Sequence, residues 1–303
     1  MSNFSRFPFL IVLMALVFAA SGVSAQLCPS AEQCRSGGQL LHKPNSKGHL
    51  VWTTPCGPLT VPSVEDPICS AIASCSKAGG FGKFLQAVTF ECKSKHFTGY
   101  FGLDGMTFGI LDWTSSNLPG IMKAYQNRSP DGYQRDFGKL ALPLRNGCLD
   151  TNWVCNANRQ AKLMCNPDFR SSFMAAIATA DFKKAEMDFA VLQYEARLKR
   201  YESLGLKTEY GNTAMAVLAN NLRNTAACKP SRWKAMCQDK ANEKAMVDCM
   251  LDQYVSNACR GGSKKTSEDR AAVIKRVFAD NSASTNVHPT SAEVEQCVGD
   301  WAR

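Results

Sequence analysis

Glu91 and Asp104 are the two residues whose types and spacing most directly suggest chemistry. Glu91 closes an apolar run, Phe81-Gly-Lys-Phe84-Leu85-Gln-Ala-Val88-Thr-Phe90-Glu91. Asp104 follows in a Gly-rich stretch, Gly99-Tyr-Phe-Gly-Leu-Asp104-Gly-Met-Thr107-Phe-Gly109-Ile-Leu. Glycoside hydrolysis needs one carboxyl that stays protonated and donates to the glycosidic oxygen. It needs a second, ionised carboxyl that activates water or shields an oxocarbenium-like transition state. A half-buried helix end raises the pKa of the first, and a polar hairpin leaves that of the second low. Asp112 competes with Asp104 for the second role. As a plain reading, Asp104 is an Asp-Gly turn residue and Thr107 a strand residue. Tyr100, Trp113 and Tyr125 are sugar-stacking platforms or core aromatics.

The elements that must position these residues are legible in outline. Residues 80–94 read as a helix with a wide apolar face, hence buried. Residues 97–112 read as strands, with Asp104-Gly105 as a hairpin turn signal. Asp66-Pro67 begins a short helix through Cys75, and Pro119 to Tyr125 opens another. Helical spacing then runs from Pro167 to Leu204, Thr208 to Leu222, Ser231 to Cys259 and Ser267 to Phe278, with a surface loop at Gly261-Gly-Ser-Lys-Lys-Thr. Thr290 with Glu293 resembles a capping box that opens a last helix ending near Trp301. The sum is a mainly α (α+β) protein with one small antiparallel sheet beside the candidate acids.

Composition sets the compartment and excludes some functions. Arg6, the apolar run Phe9 to Ala20 and the small residues Val23-Ser24-Ala25 read as a signal peptide over residues 1–25. Its removal leaves 278 residues and a charge of +8 in place of +9, with all fourteen cysteines retained. An even cysteine count in an exported chain reads as a disulfide framework. No other stretch is long and apolar enough to span a bilayer. The spacing of Cys92 and His96 also admits a thiol–imidazole nucleophile, but in an oxidising compartment Cys92 reads as a disulfide half. There is no Cys-x-x-Cys pair and no His-Glu-x-x-His, so zinc is not expected. The basic residues are dispersed, which argues against a nucleic-acid stripe. Asn127-Arg-Ser129 is a formal glycosylation sequon. Residues 26–78, rich in Cys, Pro, Gly and Ser, read as a stapled N-terminal segment. They precede a main domain at 79–285 and a C-terminal helix within 286–303.

Several patterns occur in the same order as in the chitosanase family of the lysozyme superfamily, which the chain resembles over residues 80–280. Leu85-Gln-Ala-Val-Thr-Phe-Glu91-Cys-Lys-Ser resembles that family's helix ending in Ala-Glu-Asn-Ser. Asp104-Gly105-Met-Thr107-Phe-Gly109-Ile110 is similar to its Asp-Gly-Arg-Gly-Tyr-Thr-x-Gly-Ile hairpin, two residues shorter. Tyr125 and Lys139-Leu-Ala-Leu-Pro-Leu144 resemble the helix that follows. Ala180-Asp181-Phe182-Lys-Lys-Ala185-Glu186 resembles its Asp-Pro-x-Phe-Arg-x-Ala-Gln segment. Gly205-Leu206, Thr208 and Gly211 stand where the family has Gly-Leu and a Gly-led helix, and Ser267 to Phe278 resembles its late Ser-Arg-x-x-x-Arg-Val-Phe helix.

The resemblance implies a lysozyme-like two-lobed helical fold with a small antiparallel hairpin sheet at the active-site cleft. It implies Glu91 as general acid, Asp104 as general base and Thr107 as a holder of the attacking water. Asp112, Tyr100, Trp113 and Asn117 would bind substrate. It implies an inverting endo-glycosidase, no metal or cofactor, and an amino-sugar polysaccharide as partner. Two departures bear on substrate. The hairpin lacks the family's Arg and one Gly. Ser115-Ser116-Asn117-Leu118 stands in place of Gly-Thr-Gly-Asp-Met, whose Asp helps bind cationic sugar. With a basic mature chain, these point away from fully deacetylated chitosan and towards partly acetylated polymers or peptidoglycan. They also keep open a non-catalytic glycan- or protein-binding role on the same fold.

Overall fold

The fold is taken from a computed structural model, which describes residues 72, 75, 79–89, 100–102, 105–111, 113–114, 117–145, 147–150, 163, 166–219, 222–260, 263–280 and 282–302. Among these residues the fold is mainly helical, with two small antiparallel sheets. Helix α1 (Gly79–Val88) carries Phe81, Phe84, Leu85 and Ala87, all fully buried. A helix apolar on most sides belongs inside a core. The absence of a side chain at Gly80 lets it lie close to its neighbours. A Cβ there would stand 2.4 Å from the Tyr194 hydroxyl and 2.8 Å from Thr213 Oγ1. Ile72 and Cys75, just ahead of α1, are helical and buried.

A three-stranded antiparallel sheet follows, in the order β1 (Tyr100–Gly102), β2 (Gly105–Phe108) and β3 (Trp113–Thr114). Gly102 pairs with Gly105, so the first hairpin closes one residue earlier than an Asp104-Gly105 turn and Gly105 belongs to β2. Next come α2 (Leu118–Arg128) and α3 (Pro130–Phe137), each with proline in its first turn, where the missing N–H costs nothing. The run Lys139 to Leu144, which resembles a helix in sequence, is not helical. Residues 138–140 form turns and bends, and a second hairpin begins at β4 (Leu144–Arg145) and returns as β5 (Cys148–Leu149).

The sequence reads as one helical stretch from Pro167 to Leu204, but the chain forms two helices. Helix α4 (Pro167–Ile177) stops, and α5 (Ala180–Tyr201) restarts behind Thr179, whose hydroxyl accepts from the Phe182 N–H at 3.2 Å. That cap satisfies a backbone donor that a continuous helix would have satisfied itself. Helix α5 is the hub. It packs against α1, α2, α4, α6 (Glu209–Leu218) and α10 (Ser291–Ala302), and buries residues such as Phe182, Met187, Phe189, Tyr194 and Leu198. Its Tyr194 hydroxyl donates to the Val287 carbonyl at 2.9 Å, fixing the segment that leads to α10.

The stretch Ser231 to Cys259 likewise splits, into α7 (Pro230–Met236) and α8 (Glu243–Ser256), the second capped by Asn242. Helix α9 (Lys264–Val277) begins inside what the sequence reads as a surface loop, because Ser263 caps it through the Thr266 N–H. Three disulfides join described cysteines. Cys75–Cys297 ties the region ahead of α1 to α10, Cys237–Cys249 joins α7 to α8, and Cys228–Cys259 links the residues just before α7 to those just after α8. Cys148 is disulfide-bonded as well. A buried ion pair, Lys83 Nζ to Glu209 Oε1 at 2.9 Å, links α1 to α6. Among the described residues no helix is long and apolar enough to cross a membrane.

Candidate active site

Glu91, Asp104 and Asp112 lie outside the described residues. What the structure places is the frame on either side of each. Helix α1 ends at Val88, with Thr89 buried behind it and its hydroxyl donating to the Leu85 carbonyl at 2.8 Å. The guanidinium of Arg270, on α9 and 3% exposed, donates to the carbonyl of Ala87. A buried cation thus meets the negative end of the helix dipole, at a residue four positions before Glu91 in the sequence.

In the sheet, Tyr100, Thr107 and Thr114 are successive backbone partners, so Thr107 occupies the central strand between two neighbours. Trp113 is 2% exposed. It packs against Phe189 at 5.1 Å between ring centroids, and its indole N–H is engaged in the core. That is a core aromatic and not an open platform for a sugar ring. Tyr125 is buried too, and its hydroxyl donates to Asp136 Oδ2 at 2.7 Å. Asn117 stands at the N-cap position of α2. Its carbonyl accepts from the Gly120 and Ile121 N–H groups, and its side chain makes no capping bond.

The described residue that binds this region together is Glu186, on α5. Its Oε1 accepts from the Ile110 backbone N–H at 2.6 Å and from the Trp113 indole N–H at 2.8 Å. Ile110 lies in the turn between β2 and β3, and Trp113 opens β3. Gly109 makes the approach possible twice over. Its φ of +74° suits glycine, and a Cβ there would lie 2.0 Å from Glu186 Oε1. Glu186 is 4% exposed. Burial pushes its carboxyl up to about 7, opposed by the two hydrogen bonds and by the charge of Lys183. In sequence Glu186 is visible only as part of the Ala180–Glu186 pattern. The available signal is an acid on an otherwise apolar stripe, Phe182, Ala185, Phe189.

Further acids on α5 are paired with the α2–α3 junction. Arg128 holds Asp188 through Nη1, at 3.0 and 2.8 Å from its two oxygens, and reaches Glu295 of α10 at 3.5 Å. Burial raises the pKa of Asp188, against the pull of Arg128. Ser129 donates to Asp181 at 2.8 Å. A cleft of about 340 Å³ opens elsewhere, lined by Tyr210, Lys244, Asp248, Lys275, Phe278 and Ala279. Its carboxylate is occupied: Asp248 accepts from Tyr210 and from Lys244, each at 2.7 Å. None of the residues that the sequence nominates lines it, so we place the candidate site at the α1–sheet–α5 junction. Among the described residues no cluster of three or more His, Cys, Asp or Glu could hold a metal ion.

The chain matches no protein-family model, no curated protein and no solved structure.

Proposed function

We propose that the protein is a secreted glycoside hydrolase that cleaves β-1,4 links of amino-sugar polymers by general acid and base catalysis, on a lysozyme-like two-lobed fold. The observation that carries the reading is the element order at the candidate site. A largely buried helix is followed by a three-stranded antiparallel sheet whose second turn is fixed to the central helix. In the sequence Glu91 follows this helix and Asp104 stands between β1 and β2. Glu91 would protonate the leaving oxygen, and Asp104 or Asp112 would activate water from the opposite face. Inversion requires about 6.5–9.5 Å between the two carboxyls. Export is supported by the apolar leader and by the disulfides.

The test is a panel of chitosan of graded acetylation, chitin oligomers and peptidoglycan, incubated with the oxidised protein and scored for new reducing ends. The Glu91→Gln protein is the control, and its activity should fall by about 10²–10⁴-fold. A second reading is favoured by one observation, the absence of a carboxylate in Ser115-Ser116-Asn117-Leu118. It makes the chain a non-catalytic glycan- or protein-binding protein on the same fold. Retention of polymer with no new reducing ends would select it.

A further inference from the structure

We propose that Glu186 is a positioning residue: its buried carboxylate fixes the β2–β3 turn, and with it the sheet that carries Thr107, to helix α5. The role of the sheet in catalysis rests on the glycosidase reading; the anchor itself does not.

Four observations converge. Both donors, the Ile110 N–H and the Trp113 indole N–H, meet the same oxygen, Oε1, at 2.6 and 2.8 Å. They come from residues 76 and 73 positions away in the chain, so the bonds hold a local element onto a distant helix. Gly109 leaves room for the carboxylate where a Cβ would stand 2.0 Å from it. The strands are short, two to four residues each. So small a sheet has few ladder bonds of its own and depends on packing for its geometry. The sequence also places Leu111 and Asp112 between the two anchored residues, so the anchor brackets one of the two candidate bases.

The anchor is built to persist through a change of charge. With both donors on Oε1, a proton on Oε2 leaves the acceptor in place. The bonds then pass from charge-assisted to neutral, and so weaken without being lost. The groups around Glu186 make this change accessible near neutral pH. Burial raises its pKa to about 7, and Lys183, on its own helix, opposes the rise. From the sheet it meets only N–H donors among the described residues. Packed alongside on α2, Arg128 is committed to Asp188 and to Glu295 of α10.

The experiment follows the Trp113 indole N–H and the β2–β3 amides by nitrogen–proton NMR and hydrogen exchange from pH 5 to 9, with Trp113→Phe to assign the indole. In the native protein the indole resonance should shift with a midpoint near pH 7. Glu186→Gln keeps an oxygen acceptor and cannot ionise. It should retain exchange protection and lose the shift. Glu186→Ala and Gly109→Ala should each lose at least tenfold in protection at residues 105–114, with α6 and α8 unchanged. An indole shift that survives in Glu186→Gln, or a folded Glu186→Ala protein with native protection in the sheet, overturns the proposal. Cleavage assays separate it from the function. If Glu186→Ala loosens the sheet but leaves turnover intact, the anchor stands and the site has been put in the wrong place. If no variant and no native protein cleaves any polymer, the glycosidase reading falls and the exchange result still decides the anchor.

Discussion

Cys75 and Cys297 are joined by a disulfide with their Cα atoms 4.7 Å apart, although 222 residues separate them. The bond fastens the residues just ahead of α1 to α10, the last helix, and α10 in turn packs along α5. Both sulfurs are buried, at 1% exposure. A crosslink between such distant positions removes conformational freedom chiefly from the unfolded chain. Replacing both cysteines with alanine should lower the unfolding free energy by roughly 2–5 kcal/mol. Denaturant melts of the native and double-variant proteins under non-reducing conditions check this. An unchanged midpoint would mean that α10 docks through packing alone.

Glu186 gives a stability–pH relationship with a definite sign. Its pKa in the folded protein, about 7, lies above its ordinary value of 4.5. Between those values the folded protein holds a proton that the unfolded chain has released. The contribution of this group is therefore full below about pH 4.5 and declines as pH rises to about 7, by roughly 3 kcal/mol. Asp136 and Asp248 act in the opposite sense. Although burial works against them, hydrogen bonds from Arg135 and Tyr125, and from Lys244 and Tyr210, hold their carboxyls low, so their contributions fade as pH falls. The difference between native protein and Glu186→Gln isolates the first effect. Glu186→Gln should be the more stable of the two at pH 8, with the gap closing towards pH 5. Urea melts at both pH values provide the check, and a gap that widens towards low pH contradicts it.

These two relationships differ in how far they could be read from the chain. The capping box at Thr290 is local and visible. Its N–H is bonded by Glu293 Oε2 at 2.7 Å, as the spacing of the two residues suggests. The α4–α5 break is local but hidden. Phe173, Ala176, Phe182 and Ala185 keep helical spacing across it, and only the ability of Thr179 to cap marks the restart. The pairing of Cys75 with Cys297 and the anchoring of Ile110 and Trp113 on Glu186 are contacts between distant segments. Residue type announces a cysteine that will pair or an acid on an apolar stripe, but periodicity carries no information about which distant partner it meets. The same limit explains Trp113. Its composition suits a sugar platform as well as a core, and the contacts with Phe189 and Glu186 decide for the core.

The proposed chemistry predicts unequal effects at three carboxyls. Glu91→Gln preserves shape and removes the acid, so turnover should fall by about 10²–10⁴-fold with little change in thermal stability. Of Asp104→Asn and Asp112→Asn, one should be nearly inactive and the other only weakened, since a single base activates the water. Initial rates of reducing-end formation, alongside melting curves for each variant, decide the assignment. Native turnover in a folded Glu91→Gln protein removes it from the mechanism.

Substrate preference follows from charge. A cleft that binds protonated glucosamine gains from several carboxylates, because each can accept a charge-assisted hydrogen bond from an ammonium group. In the sequence around the proposed site the candidates are Asp104, Asp112 and Asp131, and catalysis would occupy one of them. Asp136, Asp181 and Asp188 are already engaged by Tyr125 and Arg135, by Ser129 and by Arg128. With Asn117 where the resemblance would put a subsite acid and a net charge of +9, a polycation should be repelled and an anionic or acetylated polymer favoured. Cleavage of peptidoglycan or partly acetylated polymer should therefore exceed that of fully deacetylated chitosan. Added salt should narrow the difference, because screening acts on both the attraction and the repulsion. Parallel rates at low and moderate ionic strength test this. Fast hydrolysis of fully deacetylated chitosan with no action on peptidoglycan would reverse the substrate assignment and leave general acid catalysis by Glu91 to be judged on its own variant.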